Sequence, residues 1–294
     1  MRRLLSYLIL LLTCPLFLQL ANAQLEYRSI FGIQKSVLDP GNLYFDFTGD
    51  MVNHLKIYDQ TKKTYVVKPS TTVYNDVALT SFVGYGLTRN LTLFGWIPLR
   101  SVHLYSLDPT LTGKGFGDLQ LGGTLNFIHN EKSVEMDATL STTLPIASDT
   151  PPSKGQYPLG INAIQFTASV DGYNPVGKYG LCYSVYYNLV GNDGSFNYGD
   201  WTGAYLMLDK YDETQFGNFK FDIGLNAAYK FDDRISGNPV NNSYDYYLNV
   251  LAGITYYYSQ SLGFRVGVPY TIYQKSAWFT SYSVLIGVQY QPGH

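Results

Sequence analysis

Cysteine is scarce in this chain of 294 residues, which contains only Cys14 and Cys182. Cys14 lies in an N-terminal apolar run that we expect to be removed, so one cysteine would remain in the mature chain. A single cysteine cannot form an intramolecular disulfide or a cysteine-rich metal site. The sequence therefore excludes a small disulfide scaffold, and no cofactor is expected from this feature.

Charge is also sparse. Charged residues make up 14% of the chain, against roughly 25% in ordinary soluble domains. The net charge of −2 becomes −4 once Arg2 and Arg3 are removed with the leader, because no acid leaves with them. That balance is too mild to indicate a nucleic-acid partner.

Long apolar runs occur only at the N-terminus. Arg2 and Arg3 precede an apolar stretch that reaches about Leu20, and the small residues of Ala21-Asn22-Ala23 follow it. This order predicts a secretory signal peptide over residues 1–23. Beyond it no run of about 18 apolar residues occurs, so no transmembrane helix is expected. If the mature chain crosses a membrane, it must do so as strands that pair all their backbone polar groups.

Aromatic residues and glycine are abundant, with 28 Tyr, 16 Phe and 28 Gly. The stretch Gly115–Leu144 shows how they are arranged, since its apolar and polar residues alternate on either side of a short polar turn. Alternation with a period of two is typical of a strand with one apolar and one polar face. This stretch predicts a β-hairpin. Its outward residues would be Leu119, Leu121, Leu125, Phe127, Val134, Met136, Ala138, Leu140 and Leu144.

The same alternation recurs along the chain and predicts twelve strands. Their approximate ranges are 43–48, 75–87, 90–99, 115–129, 133–145, 160–173, 177–190, 200–210, 219–231, 243–258, 262–270 and 277–290. Connections after odd-numbered strands are generally long and those after even-numbered strands generally short, except at about 211–217. We therefore predict an all-β fold, a transmembrane antiparallel up-and-down β-barrel over residues 42–294, with both termini periplasmic and an outer-membrane location in a Gram-negative bacterium. Ten or fourteen strands are the alternative counts.

A soluble sandwich or lipocalin-like protein would turn the apolar face inward instead. The placement of aromatic residues favours the membrane barrel, because several lie near strand ends on the apolar face, where interfacial girdles form. These residues are Tyr244, Tyr246, Tyr256, Tyr258, Trp278 and Tyr290.

The segment 24–41 precedes the first strand and is an N-terminal lead-in or a partial plug. Its apolar residues, which could insert into the barrel, are Leu25, Tyr27, Ile30, Phe31 and Ile33.

Two local signatures carry a family resemblance. The first runs from Gly84 through Leu93 to Ile97-Pro98, as GYGLTRNLTL followed by IP, and the second is Gly115-Phe116-Gly117-Asp118-Leu119. The region of about 75–130 resembles the outer-membrane family annotated for the meta-pathway of phenol degradation, whose members resemble fatty-acid channels. The resemblance implies a passive outer-membrane channel or transporter for small hydrophobic or aromatic compounds.

Alternation assigns a set of polar residues to the barrel lumen. The candidates for lining it are Asp118, Gln120, Asn126, Glu135, Asp137, Gln165, Asp171, Lys220, Asp222, Lys230, Asp245 and Arg265, together with Asn226 and Asn249. Acids concentrate on the fourth to sixth predicted strands and bases on the ninth and eleventh. These residues could create a transverse field across a pore, or could pair with one another and hold the barrel together. Asp118 would face the lumen near the outer rim. Alternatively, it is a structural residue whose carboxylate pairs with a neighbouring base or a backbone amide.

No catalytic residue and no metal ligand is predicted, so the chain is not expected to be an enzyme. His54, His103, His129 and His294 fall near strand ends, in loops or at the terminus. A closed structural or adhesion barrel that acts through its loops is the main alternative to a channel, and a lipid-modifying enzyme with a dyad at the rim is a lesser one. The expected partners are outer-membrane lipid, a small-molecule solute and the barrel-assembly machinery.

Overall fold

The computed structural model of the chain describes residues 29–32, 37–59, 64–67, 73–105, 111–130, 134–148, 156–214, 217–241, 243–259, 261–275 and 278–292. Within these ranges every regular element is a β-strand. No helix in this part of the chain is long and apolar enough to cross a lipid bilayer. The predicted signal peptide lies outside the described residues.

The strands are numbered in chain order. They are β1 (Leu43–Asp59), β2 (Thr64–Val67), β3 (Val73–Thr88), β4 (Leu91–Tyr105), β5 (Leu111–Phe116), β6 (Leu119–Asn130), β7 (Val134–Leu144), β8 (Gln165–Val176), β9 (Tyr179–Val190), β10 (Asn192–Asp193), β11 (Phe196–Asn197), β12 (Trp201–Thr214), β13 (Gly217–Lys230), β14 (Arg234–Ile235), β15 (Asn238–Pro239), β16 (Asp245–Tyr257), β17 (Leu262–Lys275) and β18 (Trp278–Tyr290).

Twelve long strands form a closed antiparallel barrel, which confirms the predicted fold class and strand count. Each pairs with the next long strand along the chain, and β18 pairs with β1 to close the ring. The closing register runs from Phe45 opposite Tyr290 to Ile57 opposite Trp278. Closure removes the unpaired strand edges that an open sheet would present to lipid.

The barrel has two different rims. At the turn rim, hairpin connections such as 89–90 and 177–178 are short, and β1 begins beside the end of β18. At the loop rim the connections after β7, β9 and β13 are longer. The expected exception at 211–217 is wrong, because β12 extends to Thr214 and leaves only two residues before β13.

The outer face of the barrel is apolar. Leu140 is 68% exposed, Ile223 62% and Val185 60%, and large apolar side chains are exposed on eleven of the twelve long strands. A contiguous apolar exterior of this extent is foreign to a water-soluble monomer and suits contact with lipid tails. The closed ring and this exterior support localisation in the outer membrane.

The hairpin predicted over Gly115–Leu144 differs from the structure at one end. The strand expected over 115–129 is broken, since β5 ends at Phe116, Gly117 and Asp118 lie outside any strand, and β6 begins at Leu119. β4 pairs with β6 through its first half and with β5 through its second half. A bulge between Asn126 and Ile128 also leaves Phe127 and Ile128 both exposed.

A small four-stranded sheet of β10, β11, β14 and β15 lies at the loop rim, within connections that were predicted as plain loops. Acidic side chains in the connections around this sheet accept hydrogen bonds from backbone amides. Asp200 Oδ1 accepts a hydrogen bond from the Val190 amide at 2.9 Å, and Asp233 Oδ1 accepts one from the Gly199 amide at 2.8 Å. Short polar side chains commonly fix turns in this way.

Candidate functional site

The bases predicted to face the lumen each have an acid close by. Lys220 Nζ lies 2.9 Å from Asp222 Oδ1 on the same inward face of β13. Lys230 Nζ lies 2.7 Å from Asp233 Oδ1, near the loop rim, where Asp245 stands directly opposite Lys230 across β13 and β16. The positive charges of the lumen are therefore balanced locally.

Arg265 makes the most buried of these pairs. Its guanidinium forms an ion pair with Asp46 and donates a hydrogen bond to Thr48 Oγ1 at 3.3 Å. Arg265 lies on β17 and Asp46 on β1, so the contact passes over β18, the strand that closes the ring. Gly287 lies between Arg265 and Thr48 in register, and a β-carbon there would stand 2.9 Å from Thr48 Oγ1 and 3.4 Å from Arg265 Nη2. We call Asp46, Thr48, Gly287 and Arg265 the seam clasp.

The predicted acids of β7 and β8 lie on the opposite part of the wall. Asp137 stands opposite Asp171 in register and accepts a hydrogen bond from Asn126 Nδ2 at 2.7 Å. Asp171 accepts hydrogen bonds from Ser169 Oγ at 2.8 Å and from Thr139 Oγ1 at 3.2 Å. Glu135 is buried on the same face. Asp137 and Asp171 accept hydrogen bonds from neutral donors, which reduces the cost of burying their carboxylates.

The predicted amides cross-link neighbouring strands. Gln120 accepts a hydrogen bond from the Trp96 indole and donates one to Ser141 Oγ at 2.6 Å. Gln165 Oε1 accepts a hydrogen bond from Asn188 Nδ2 at 2.9 Å. Asn226 Nδ2 donates to the Ala204 carbonyl at 3.2 Å, whereas Asn249 lines a cavity described below.

Asp118 does not line the middle of the lumen. Its two carboxylate oxygens accept the backbone amides of Ala147, at 3.1 Å, and Ile161, at 2.9 Å. These amides belong to the connection between β7 and β8, whose described parts, 145–148 and 156–164, we call the mouth segment. Asp118 therefore ties the mouth segment to the break between β5 and β6.

The mouth segment folds against the inner side of β4 and β5. Leu159 packs with Val102 and Ala147, and the Leu159 carbonyl accepts a hydrogen bond from Arg100 Nη1 at 3.1 Å. Gly117 leaves room for this packing, since a β-carbon there would lie 2.7 Å from Pro98 Cγ and 3.4 Å from the Leu159 carbonyl oxygen. The second sequence signature therefore lies where the mouth segment packs against the barrel wall.

The first sequence signature lies at the turn rim, where the N-terminal segment packs against the barrel wall. Leu38 is buried against Tyr44 and Phe82, and its amide donates a hydrogen bond to Thr92 Oγ1 at 2.7 Å. A β-carbon on Gly86 would collide with the carbonyl oxygen of Asp39. Glycine is required where one backbone passes this close to another.

Residues 29–32 lie inside the barrel, and we call them the lumen tip. They form a tight turn, in which the Gly32 amide donates to the Ser29 carbonyl at 3.0 Å and Gly32 has φ of 87°. The tip carries Ile30 and Phe31 to the inward-facing Gly253 and Gly267. Of the predicted plug residues, Leu25, Tyr27 and Ile33 lie outside the described residues.

A cavity of about 300 Å³ remains beside the lumen tip. Phe31, Tyr205, Leu251 and Pro269 bound it on one side, while Trp96, Thr80 and Asp50 lie on strands β4, β3 and β1. Its lining combines aromatic and aliphatic side chains with nearly as many polar ones, and small-molecule sites in general combine apolar walls with polar groups that orient the ligand.

Several residues of this site were not singled out from the sequence. Asp46, Asp50 and Asp209 all lie on inward faces, as strand alternation would allow, and Trp96 lies in the cavity wall. Alternation assigns each residue to a face, but it gives no information about which residues on distant strands meet.

The histidines give limited support to a catalytic site. His103 Nε2 lies 3.4 Å from Ser101 Oγ, two positions away on the same strand. Strand alternation brings such residues together routinely. The His54 and His129 side chains and all of His294 lie outside the described residues. Within the described ranges, no group of three His, Cys, Asp or Glu side chains could hold a metal ion.

The fold is that of a bacterial outer-membrane β-barrel. The chain superposes on the crystal structure of an outer membrane channel from Pseudomonas putida F1 with a TM-score of 0.71 and 14% identity, over 93% of this chain and 100% of that one. The beta domain of the Bordetella autotransporter BrkA gives a TM-score of 0.50 and 10% identity, over 86% of this chain and 99% of that domain. The sequence matches no protein-family model and no curated protein.

Proposed function

We propose that this chain is a passive outer-membrane channel for small hydrophobic or aromatic compounds. The cavity of about 300 Å³ inside the barrel carries the proposal. A barrel of twelve strands lies between small barrels filled by side chains and wide porins, and here the wall side chains leave space that a solute can enter. The likeness to the Pseudomonas channel supports the proposal at the level of fold.

Two segments that are not barrel strands narrow the lumen. The mouth segment lies against the inner wall near the loop rim, and the N-terminal segment extends inward from the turn rim. We propose that the loop rim is extracellular and the turn rim periplasmic, following the usual orientation of outer-membrane barrels. The N-terminal segment then acts as a partial plug on the periplasmic side.

The proposal is tested by liposome swelling with purified protein folded in the presence of barrel-assembly machinery. A channel gives swelling rates that depend on the size and polarity of the solute. A closed structural barrel gives no swelling, although it folds and resists detergent. Lipid hydrolysis that is lost in a His103→Ala variant would instead favour the enzyme alternative.

A further inference from the structure

The lumen tip rests on a bare patch of the barrel wall. Gly253 and Gly267 face each other as cross-strand partners on β16 and β17. A β-carbon on Gly253 would stand 3.2 Å from Phe31 Cε2, and one on Gly267 would stand 3.1 Å from Phe31 Cε1. Two paired glycines present backbone without side chains, so a flat ring fits here where other residues would exclude it.

The Phe31 side chain also packs against sulfur and aromatic side chains. Cys182 and Met207 are cross-strand partners on β9 and β12, and both are fully buried. Phe31 packs against them together with Tyr173 and Tyr205. Polarizable sulfur makes favourable contacts with aromatic rings. We call the space between Gly253, Gly267, Cys182 and Met207 the ring slot.

The ring slot opens toward the lumen cavity, because Phe31 and Tyr205 border both spaces. The occupant of the slot is the apex of a four-residue turn and belongs to no barrel strand. Withdrawal of Phe31 would therefore break none of the hydrogen bonds between barrel strands.

We infer that the ring slot is a binding site for a planar aromatic ring of a solute, and that Phe31 occupies it as an internal ligand. Solute and Phe31 compete for the slot, so an aromatic solute displaces the lumen tip. This inference rests on the proposed function, because a solute must be able to reach the lumen.

Competition has a consequence that a simple apolar pocket lacks. When the binding-competent state is only partly populated, the apparent dissociation constant rises in inverse proportion to that population. Phe31→Ala removes the competitor, and the variant should bind an aromatic solute more tightly even though an apolar contact surface is lost. If Phe31 were merely part of the wall, the same variant would bind more weakly.

The probe is benzyl alcohol, with cyclohexylmethanol as the non-planar comparison, and the matched control is Phe221→Ala on the lipid face of β13. Titration calorimetry should show benzyl alcohol binding at least about tenfold more tightly to Phe31→Ala than to wild type, by relief of competition, and unchanged binding to Phe221→Ala. Equal or weaker binding to Phe31→Ala overturns the inference.

Cys182 reports on the location of binding. In wild type, Phe31 in the ring slot should keep the reaction of the Cys182 thiol with a methanethiosulfonate reagent slow. The Phe31→Ala variant should speed this reaction by about tenfold or more. Benzyl alcohol should slow labelling of that variant again, whereas cyclohexylmethanol should not. Failure of benzyl alcohol to protect Cys182 overturns the inference.

A second pair of variants keeps the test valid if Phe31→Ala folds poorly. Gly267→Val fills the slot from the wall and should abolish benzyl alcohol binding, while Gly123→Val, on the outward face of β6, should not.

Swelling assays separate the ring-slot proposal from the channel proposal. Normal wild-type swelling with no effect of Phe31→Ala on affinity overturns the ring slot alone, whereas tight binding without any swelling overturns the channel alone.

Discussion

At the scale of single residues, the seam clasp shows what a sequence can and cannot reveal. Strand alternation places Arg265 on an inward face, and it places Asp46 there too. Their partnership was not predictable, because it depends on the closing register of β1 with β18 and on the missing side chain of Gly287. Arg265 can reach across β18 here because Gly287 presents no side chain in its path.

Asp46→Asn should destabilise the barrel strongly. The change leaves Arg265 buried beside a neutral amide, and removal of one member of a buried pair typically costs about 3–5 kcal/mol. The free energy of unfolding can be measured by urea titration of protein folded into lipid vesicles. Asp212→Asn, which alters an exposed pair with Lys210, is the control and should leave the urea midpoint unchanged. Equal midpoints for both variants would contradict a structural role for the clasp.

At the scale of elements, the twelve strands and their faces follow from alternation, whereas the break in the fourth predicted strand does not. Gly115, Gly117 and Asp118 continue the local pattern of a strand. The break exists because the mouth segment occupies the inner side of the wall there and binds Asp118 through two amides. That requirement comes from residues beyond the hairpin, so the hairpin sequence alone could not show it.

Asp118→Ala should release the mouth segment while the barrel stays folded. Two hydrogen bonds to a carboxylate are lost, each worth about 1.5–3 kcal/mol, so the segment should open at least about tenfold more often. Limited proteolysis would detect this as faster cleavage between β7 and β8, with the heat-modifiable gel mobility of the barrel unchanged. Asp39→Ala, an exposed acid at the turn rim, should be cleaved like wild type. Cleavage of Asp118→Ala at the wild-type rate would show that other contacts hold the segment.

At the scale of the whole molecule, different features of the sequence determine the barrel wall and the segments inside it. The wall follows from a repeated local pattern, whereas the lumen contents depend on glycines that receive a distant segment. Gly86 admits the chain near Leu38, and Gly253 and Gly267 admit the lumen tip. The apolar residues Ile30 and Phe31 suggested a plug from sequence, but their seat could not be predicted because it is formed by strands near the C-terminus.

Deletion of residues 24–36 should raise the single-channel conductance of the barrel in planar bilayers severalfold. The deletion removes the lumen tip and keeps the anchor at 37–42, so the space that Ile30 and Phe31 fill becomes available to ions and water. Gly86→Val provides an independent route to the same state, because its side chain would collide with the Asp39 carbonyl and displace the anchor. Both variants should conduct more than wild type and more than Phe221→Ala, which alters only the lipid face. Wild-type conductance in a correctly folded deletion variant would mean that the pathway for ions bypasses the N-terminal segment, and the plug would then have to be abandoned.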